Sequence, residues 1–220
     1  MGYTIYKPNK AVKGALFNAN FTAKADKEGE KGDKSFYFRL VGQTAWDSKK
    51  SVGSFKDGAN ITVKMAPHEI AGIICAIRKN ISLSEAMGVE YIYHDGEETA
   101  TIINFGPHFK REKNEEGEWK AGNVQMGFAL RVTKKNKSDK DDKSSLGVGL
   151  TLAEAELLSK FLDDGLTHIC DAWFSEEIAR LKDYKSKGNY GQKDAKKKTE
   201  TPQEDTGSGD DDPDDDDVTF

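Results

Sequence analysis

The chain has 220 residues, 36 % of them apolar and 32 % charged, with a formal net charge of −5 at pH 7. That length holds one large or two small domains plus tails, and the low apolar share points to segments that cannot bury enough surface to fold. Two cysteines and no apolar run of spanning length exclude a disulfide scaffold and a membrane-spanning helix.

The first stretch, "GYTIYKPNKAVKG", interleaves Tyr3 and Tyr6 with Lys7, Lys10 and Lys13. It has no apolar h-region, and Tyr6 stands where a myristoylation motif needs Ser or Thr, so a cytosolic protein is expected. "VKGALFNANF" (12–21) reads as a strand with Lys13, Phe17 and Phe21 on one face and Leu16, Asn18 and Asn20 opposite. "AKADKEGEKGDK" (23–34) is charged and without apolar periodicity, which suits a mobile loop.

In "SFYFRLVG" (35–42), Phe36, Phe38 and Leu40 form a core face, while Tyr37, Arg39 and Val41 form a mixed basic and aromatic one. A turn-rich stretch repeats the mixture with Trp46, Lys49, Lys50, Phe55 and Lys56. "NITVKM" (60–65) alternates as a half-buried strand does. Pro67 then opens a helix with Ile70, Ile73, Ile74 and Ile77 on one side.

A second run follows with the same order. "VEYIYHD" (89–95), "TATIINFG" (99–106), "NVQMGFALRVT" (123–133) and "LGVGL" (146–150) are predicted strands, with Asp95-Gly96 as a tight turn between the first two. "FGPHFKRE" adds Phe105, His108, Phe109, Lys110 and Arg111 to the exposed rings and cations, and Arg131 points away from the core-like Phe128, Leu130 and Val132. "KKNKSDKDDKSS" (134–145) reads as a loop. Thr151 and Glu154 form a capping box that opens a long helix striped by Leu158, Leu162, Leu166, Ile169 and Trp173, with Gly165 mid-pattern. Cys75 and Cys170 sit inside the apolar helical patterns and read as small core residues in a reducing compartment.

Residues 185–209 form a linker, and 210–220 an acidic tail with two aspartate runs and a final Phe220. Residues 200–220 hold ten of the 38 acids and no base, so the remaining 28 acids face 33 bases and residues 1–199 carry +5. A basic body with an acidic arm suits a polyanion partner, with the arm competing for the same surface; solubilisation alone is the plainer alternative.

Rings beside lysines suit single strands, because bases stack on the rings while cations follow the phosphates. Any one of these rings also suits loop anchoring or core packing. The four histidines make no H-x-x-x-H or H-E-x-x-H arrangement, and no P-loop, nucleophile elbow or dinucleotide fingerprint occurs. No catalytic residue, metal or cofactor is expected.

Two resemblances sharpen this. The segment with Asp214, Asp215, Asp216, Asp217 and Phe220 resembles the C-terminal tips of bacterial and T7-type single-stranded DNA-binding proteins. That likeness implies docking on replication proteins (polymerase, helicase or primase) and folding back onto the basic body when DNA is absent. The body is similar to the Whirly/PC4-like family, at Lys13, Gly14, Ala15 and Leu16, at "ITVKMAPHEIAGII", and along the last helix to Trp173. This resemblance implies single-stranded DNA bound on sheet faces, and a homo-oligomer built on the helices.

The expected fold is therefore α+β, with two antiparallel β-sheets each followed by a helix. Its single-stranded DNA-binding domain spans 1–184, in halves of about 1–80 and 88–184. An OB-fold β-barrel with added helices is the alternative. The expected function is a phage protein of the host cytoplasm that coats single-stranded DNA in replication, recombination and repair. A transcription regulator, an RNA-binding module or a nuclease are the alternatives.

Overall fold

Alternation of apolar and polar side chains builds the first sheet. The computed structural model describes residues 2–24, 32–113, 117–139 and 141–186. Within them, β1 (Gly2–Lys7), β2 (Ala15–Ala23), β3 (Lys34–Gly42) and β6 (Asn60–Met65) pair antiparallel in that order. Phe17, Ala19, Phe36, Phe38, Leu40, Ile61, Val63 and Met65 fall on one face and are buried. A two-stranded hairpin, β4 (Ala45–Asp47) and β5 (Val52–Ser54), interrupts the run between β3 and β6.

The second sheet has the order β10-β9-β8-β7, again antiparallel, from β7 (Ile92–Asp95), β8 (Thr99–Lys113), β9 (Trp119–Asn136) and β10 (Lys143–Leu150). Among the described residues both sheets keep two free edges, so no barrel closes and the α+β expectation holds in its two-sheet form. The expected tight turn after β7 forms, with the Gly96 N–H donating to the Thr99 carbonyl at 3.0 Å.

Helix α1 (Pro67–Lys79) starts at the expected proline. Glu69 accepts from the Ala66 N–H at 2.8 Å, which satisfies one orphan donor of the first turn. The capping box of α3 (Leu152–Ser186) forms as expected. Glu154 accepts from the Thr151 N–H at 2.8 Å, and the Glu154 N–H donates to the Thr151 hydroxyl at 3.2 Å.

The helices do not each cover the sheet that precedes them. α3 follows the second sheet in sequence but packs on the first, where Phe161 lies against Tyr3 and Phe21 with ring centroids 6.0 and 5.7 Å away. Gly165 explains itself here. A Cβ at that position would come 2.7 Å from Phe36 and 2.8 Å from Phe21, so only glycine lets the helix approach so closely. α1 reaches the second sheet, through Glu69 to His94 of β7 at 2.7 Å and a reciprocal amide pair between Asn80 and Gln125 of β9 at 2.8 and 2.6 Å. One apolar cluster therefore contains side chains of both sheets and both long helices.

Several element bounds differ from expectation. β1 pairs along its whole length with β2, and β2 begins at Ala15, leaving Lys13 in the connection. Much of 134–145 is strand, because β9 runs to Asn136 and β10 starts at Lys143. A short helix, α2 (Leu83–Met87), was not foreseen; its Ser82 cap accepts from the Glu85 N–H at 3.2 Å and Leu83 is buried. Residues 185 and 186, expected in the linker, are helical.

The chain divides into two units, the first ending at Glu176. Residues 177–186 are the described part of the second; they are helical, with Arg180 Nη1 3.0 Å from Glu177 Oε2. The rest of the linker and the tail residues Asp214, Asp215, Asp216, Asp217 and Phe220 lie outside the described residues.

Candidate nucleic-acid interface

The face of the first sheet turned away from α3 carries three cross-strand rows. They are Tyr6, Leu16, Val41 and Asn60; then Thr4, Asn18, Arg39 and Thr62; then Gly2, Asn20, Tyr37 and Lys64. Thr4, Tyr6, Asn20, Arg39, Asn60, Thr62 and Lys64 are exposed, while Val41 is buried within its row. Asn18 donates to the Thr4 hydroxyl at 2.7 Å, Asn20 donates to Asn18, and Arg39 Nε donates to Asn60 Oδ1 at 3.2 Å. This face is polar, ring-bearing and cationic at once.

One corner is preorganised. Asp33, just before β3, accepts from the Tyr37 hydroxyl at 2.6 Å and from Lys64 Nζ at 3.1 Å, and the Lys64 ammonium lies 5.8 Å from the centre of the Tyr37 ring. The Tyr37 hydrogen bond holds the Asp33 carboxyl below its usual range, with Ser35 and Lys64 adding to it. The same carboxylate raises the Tyr37 phenol and the Lys64 ammonium.

The β4–β5 hairpin stands beside the opposite corner. Tyr6 donates to the Gly53 carbonyl at 2.5 Å and its ring centroid lies 4.6 Å from that of Phe55. Trp46 is half-buried in the hairpin, and its Nε1 is buried with no hydrogen-bond partner among the described residues. Lys49, Lys50 and Lys56 are exposed around it.

The outward face of the second sheet carries Arg131, aligned with Asn104 on β8 and Gly147 on β10. Beyond it, β8 and β9 continue as a long ribbon whose register shifts between His108 and Arg111. Phe109, Lys110 and Arg111 are exposed there, as expected. Trp119, with 59 % of its surface exposed, sits 5.4 Å under the Lys113 ammonium. Trp119 and Lys113 lie outside the predicted set, although "EKNEEGEWK" has the same cation-beside-ring pattern.

Of the predicted interface residues, Tyr6, Tyr37, Arg39, Trp46, Lys49, Lys50, Phe55 and Lys56 gather on or beside the outward face of the first sheet, and Lys10 and Lys13 are exposed in the β1–β2 connection. Four need correction. Phe17 is fully buried, 5.2 Å from Phe38 in an edge-to-face pair, because its position in β2 shares the parity of Ala15 and Ala19. Tyr3 also turns inward, donating to the Glu154 carbonyl at 2.8 Å; burial, then the Glu154 charge, raises its phenol. Lys7 turns the same way and pairs with Glu154 Oε1 at 2.6 Å. Phe105, read as an exposed ring, is buried and stacks on Phe128 at 5.3 Å.

Lys64 was missed, although the alternation of "NITVKM" already sets it opposite Ile61, Val63 and Met65. Among the described residues no group of three His, Cys, Asp or Glu could hold a metal ion, and no helix is long and apolar enough to cross a membrane. Asp95, beside His94 in the turn, is paired with Lys137 at 2.5 Å, which holds its carboxyl below the usual range.

No family model matches the sequence, and no curated protein does. Solved structures do match. WHY3 from Arabidopsis thaliana is similar with a TM-score of 0.52 at 15 % identity, over 81 % of this chain and 94 % of that one. The plant transcriptional regulator PBF-2 is similar with a TM-score of 0.53 at 12 % identity, over 81 % and 86 %. WHY1 from Arabidopsis thaliana is similar with a TM-score of 0.52 at 12 % identity, over 82 % and 92 %. At these identities the likeness establishes the fold, which is of the Whirly type expected above.

Proposed function

We propose that the chain is a single-stranded DNA-binding protein that coats unpaired strands without sequence preference and performs no catalysis. The observation that carries this reading is the outward face of the first sheet, where Tyr37, Arg39 and Lys64 stand exposed or half-exposed on adjacent strands. Rings there offer stacking worth roughly 1–3 kcal/mol per base, and the cations offer phosphate contacts whose strength falls with salt.

Finer roles extend the same reading. The protein acts in the replication, recombination and repair of a phage, in the host cytoplasm. Residues 210–220 recruit polymerase, helicase or primase and compete with DNA for the basic faces. Several copies associate through α3, whose Trp173 and Phe174 are 45 % and 70 % exposed although a surface helix ordinarily turns such side chains inward.

The experiment is a tryptophan-fluorescence titration with poly(dT) at low and high salt. Tight binding that weakens with salt, and much weaker binding of duplex, is expected; equal affinity for duplex and single strand overturns the reading. Removing residues 210–220 tightens binding at low salt if the tail competes, and leaves it unchanged if it does not. A transcription regulator is the second reading, favoured by the likeness to PBF-2. Sequence-selective duplex binding supports that role, and preference for RNA over DNA points to an RNA-binding module.

A further inference from the structure

The edge of β8 beyond β7 forms a notch that the sequence did not foretell. β7 pairs with β8 only as far as Ile103, so among the described residues no strand lies beside the next residues of β8 on that side. The segment entering α2 fills part of the gap: a Cβ on Gly106 would meet Ser82 at 3.3 Å. What remains is a cavity of about 380 Å³, lined among others by Ser82, Tyr91, Asn104, Gly106, Ala129 and Arg131.

The lining has a definite chemistry. Gly106 and Ala129 are register partners; Ser82 covers the Gly106 side, and the small Ala129 side chain leaves a low floor on which a flat ring can lie close to the sheet. Tyr91, 43 % exposed, supplies an aromatic wall, and its neighbour Tyr93 stands edge-on at 6.2 Å. The Asn104 amide can both donate and accept, as the edge of a base requires. Arg131, the register partner of Asn104, is exposed and makes no ion pair among the described residues. A planar guanidinium of this kind is suited to a phosphate. The volume lies at the small end of ligand pockets, which run from about 300 to 1,000 Å³.

We propose that this notch takes one nucleotide of a bound single strand, with its base over Ala129 against Tyr91 and its phosphate on Arg131. The proposal rests on the single-stranded DNA reading and adds a discrete base site to a face otherwise read as a platform. Asn104 and Arg131 line the notch and are exposed on the outward face, so a strand crossing that face passes beside it.

The test uses the full chain, Ala129→Leu, which fills the floor without changing charge, and Arg131→Ala. Each is titrated with oligo(dT) and with an abasic oligomer of equal length. Ala129→Leu is expected to weaken oligo(dT) binding about five- to a hundredfold and to leave the abasic oligomer unaffected. Arg131→Ala weakens both and lowers the salt slope by about one. Wild-type affinity of a folded Ala129→Leu for oligo(dT) overturns the proposal. Should that variant fail to fold, Asn104→Ala on the exposed side of the notch carries the same expectation. Binding of free dTMP that these changes abolish while oligo(dT) binding stays intact makes the notch a mononucleotide site and overturns its place on the strand. Failure of the wild type to bind oligo(dT) even in dilute salt removes the parent reading, and this one with it.

Discussion

Asp33 accepts a hydrogen bond from the Tyr37 hydroxyl at 2.6 Å while its other oxygen holds Lys64 at 3.1 Å. One carboxylate thus orients a ring and tethers a cation on the face read as the DNA platform. The tether has two consequences of opposite sign. It reduces the conformational freedom that Tyr37 and Lys64 would lose on binding, and it masks the ammonium with an anion that a phosphate must displace.

Asp33→Asn separates the two. Freeing Lys64 is expected to steepen the salt dependence of oligo(dT) binding by up to about one in log–log slope. Folding stability is expected to fall near neutral pH. Asp33 is held below its usual range by Tyr37 first, so its contribution is present above the ordinary carboxylate value of about 4. It is lost as the pH falls through the depressed value of the folded state. Urea unfolding of both proteins across the acid range checks this. A stability difference that persists undiminished in strong acid refutes the assignment.

Gly165→Ala sets helix propensity against packing. Alanine in a helix interior gains about 1 kcal/mol over glycine, whereas overpacking a core costs about 1–3 kcal/mol. The new Cβ would meet the rings of Phe36 and Phe21 at under 3 Å, and both rings are wedged between β-strands and α3. Packing is expected to win, giving a net loss of up to about 2 kcal/mol in chemical denaturation. A variant more stable than the wild type would show that α3 does not need this close approach.

The two-sheet plan was legible because strand alternation and two capping signals, at Pro67 and Thr151, are local features. Which sheet each helix covers was not, since Phe161 and Gly165 say only that their helix is apolar on one side. The inward turn of Tyr3 and Lys7 was hidden for a related reason. "GYTIYK" alternates with Tyr3, Ile5 and Lys7 on one side, so the apolar set that marks a core face contains a lysine. The ion pair with Glu154, from a helix far along the chain, gives the half-exposed Lys7 a partner there. The outward placement of Tyr37 and Arg39 was legible because their strand is unambiguous, with Phe36, Phe38 and Leu40 all on the opposite side. The notch at Arg131 depends on where β7 stops relative to β8, a register relationship to which no local signal corresponds.

Lys7 and Lys64 offer a test of a structural cation against a proposed binding one. Burial alone would raise the Glu154 carboxyl, but the Lys7 ammonium and the Thr151 N–H and hydroxyl outweigh it and hold it low. Lys7→Ala is expected to cost at most about 1 kcal/mol of stability, because the pair is partly exposed, and to leave the salt slope of DNA binding unchanged. Arg39→Ala is expected to lower that slope by about one, and Lys64→Ala to lower it by less, because Asp33 already masks its ammonium. A lower slope in Lys7→Ala, with no loss in the other two, would place the strand elsewhere on the molecule.

Trp119 tests whether the β8–β9 ribbon takes part. It is the most exposed of the three tryptophans, and the Lys113 ammonium 5.4 Å from its ring already neighbours one face. A base stacking on the free face would quench its emission, and Lys113 would meet the adjoining phosphate. In a Trp46→Phe, Trp173→Phe background, oligo(dT) is expected to quench the remaining fluorescence, and Trp119→Ala to weaken binding about five- to a hundredfold. Trp119→Phe keeps a stacking surface and should recover most of that loss. If emission is indifferent to DNA and Trp119→Ala binds as the wild type does, the ribbon lies outside the path of the strand, and the sheet faces carry the contact alone.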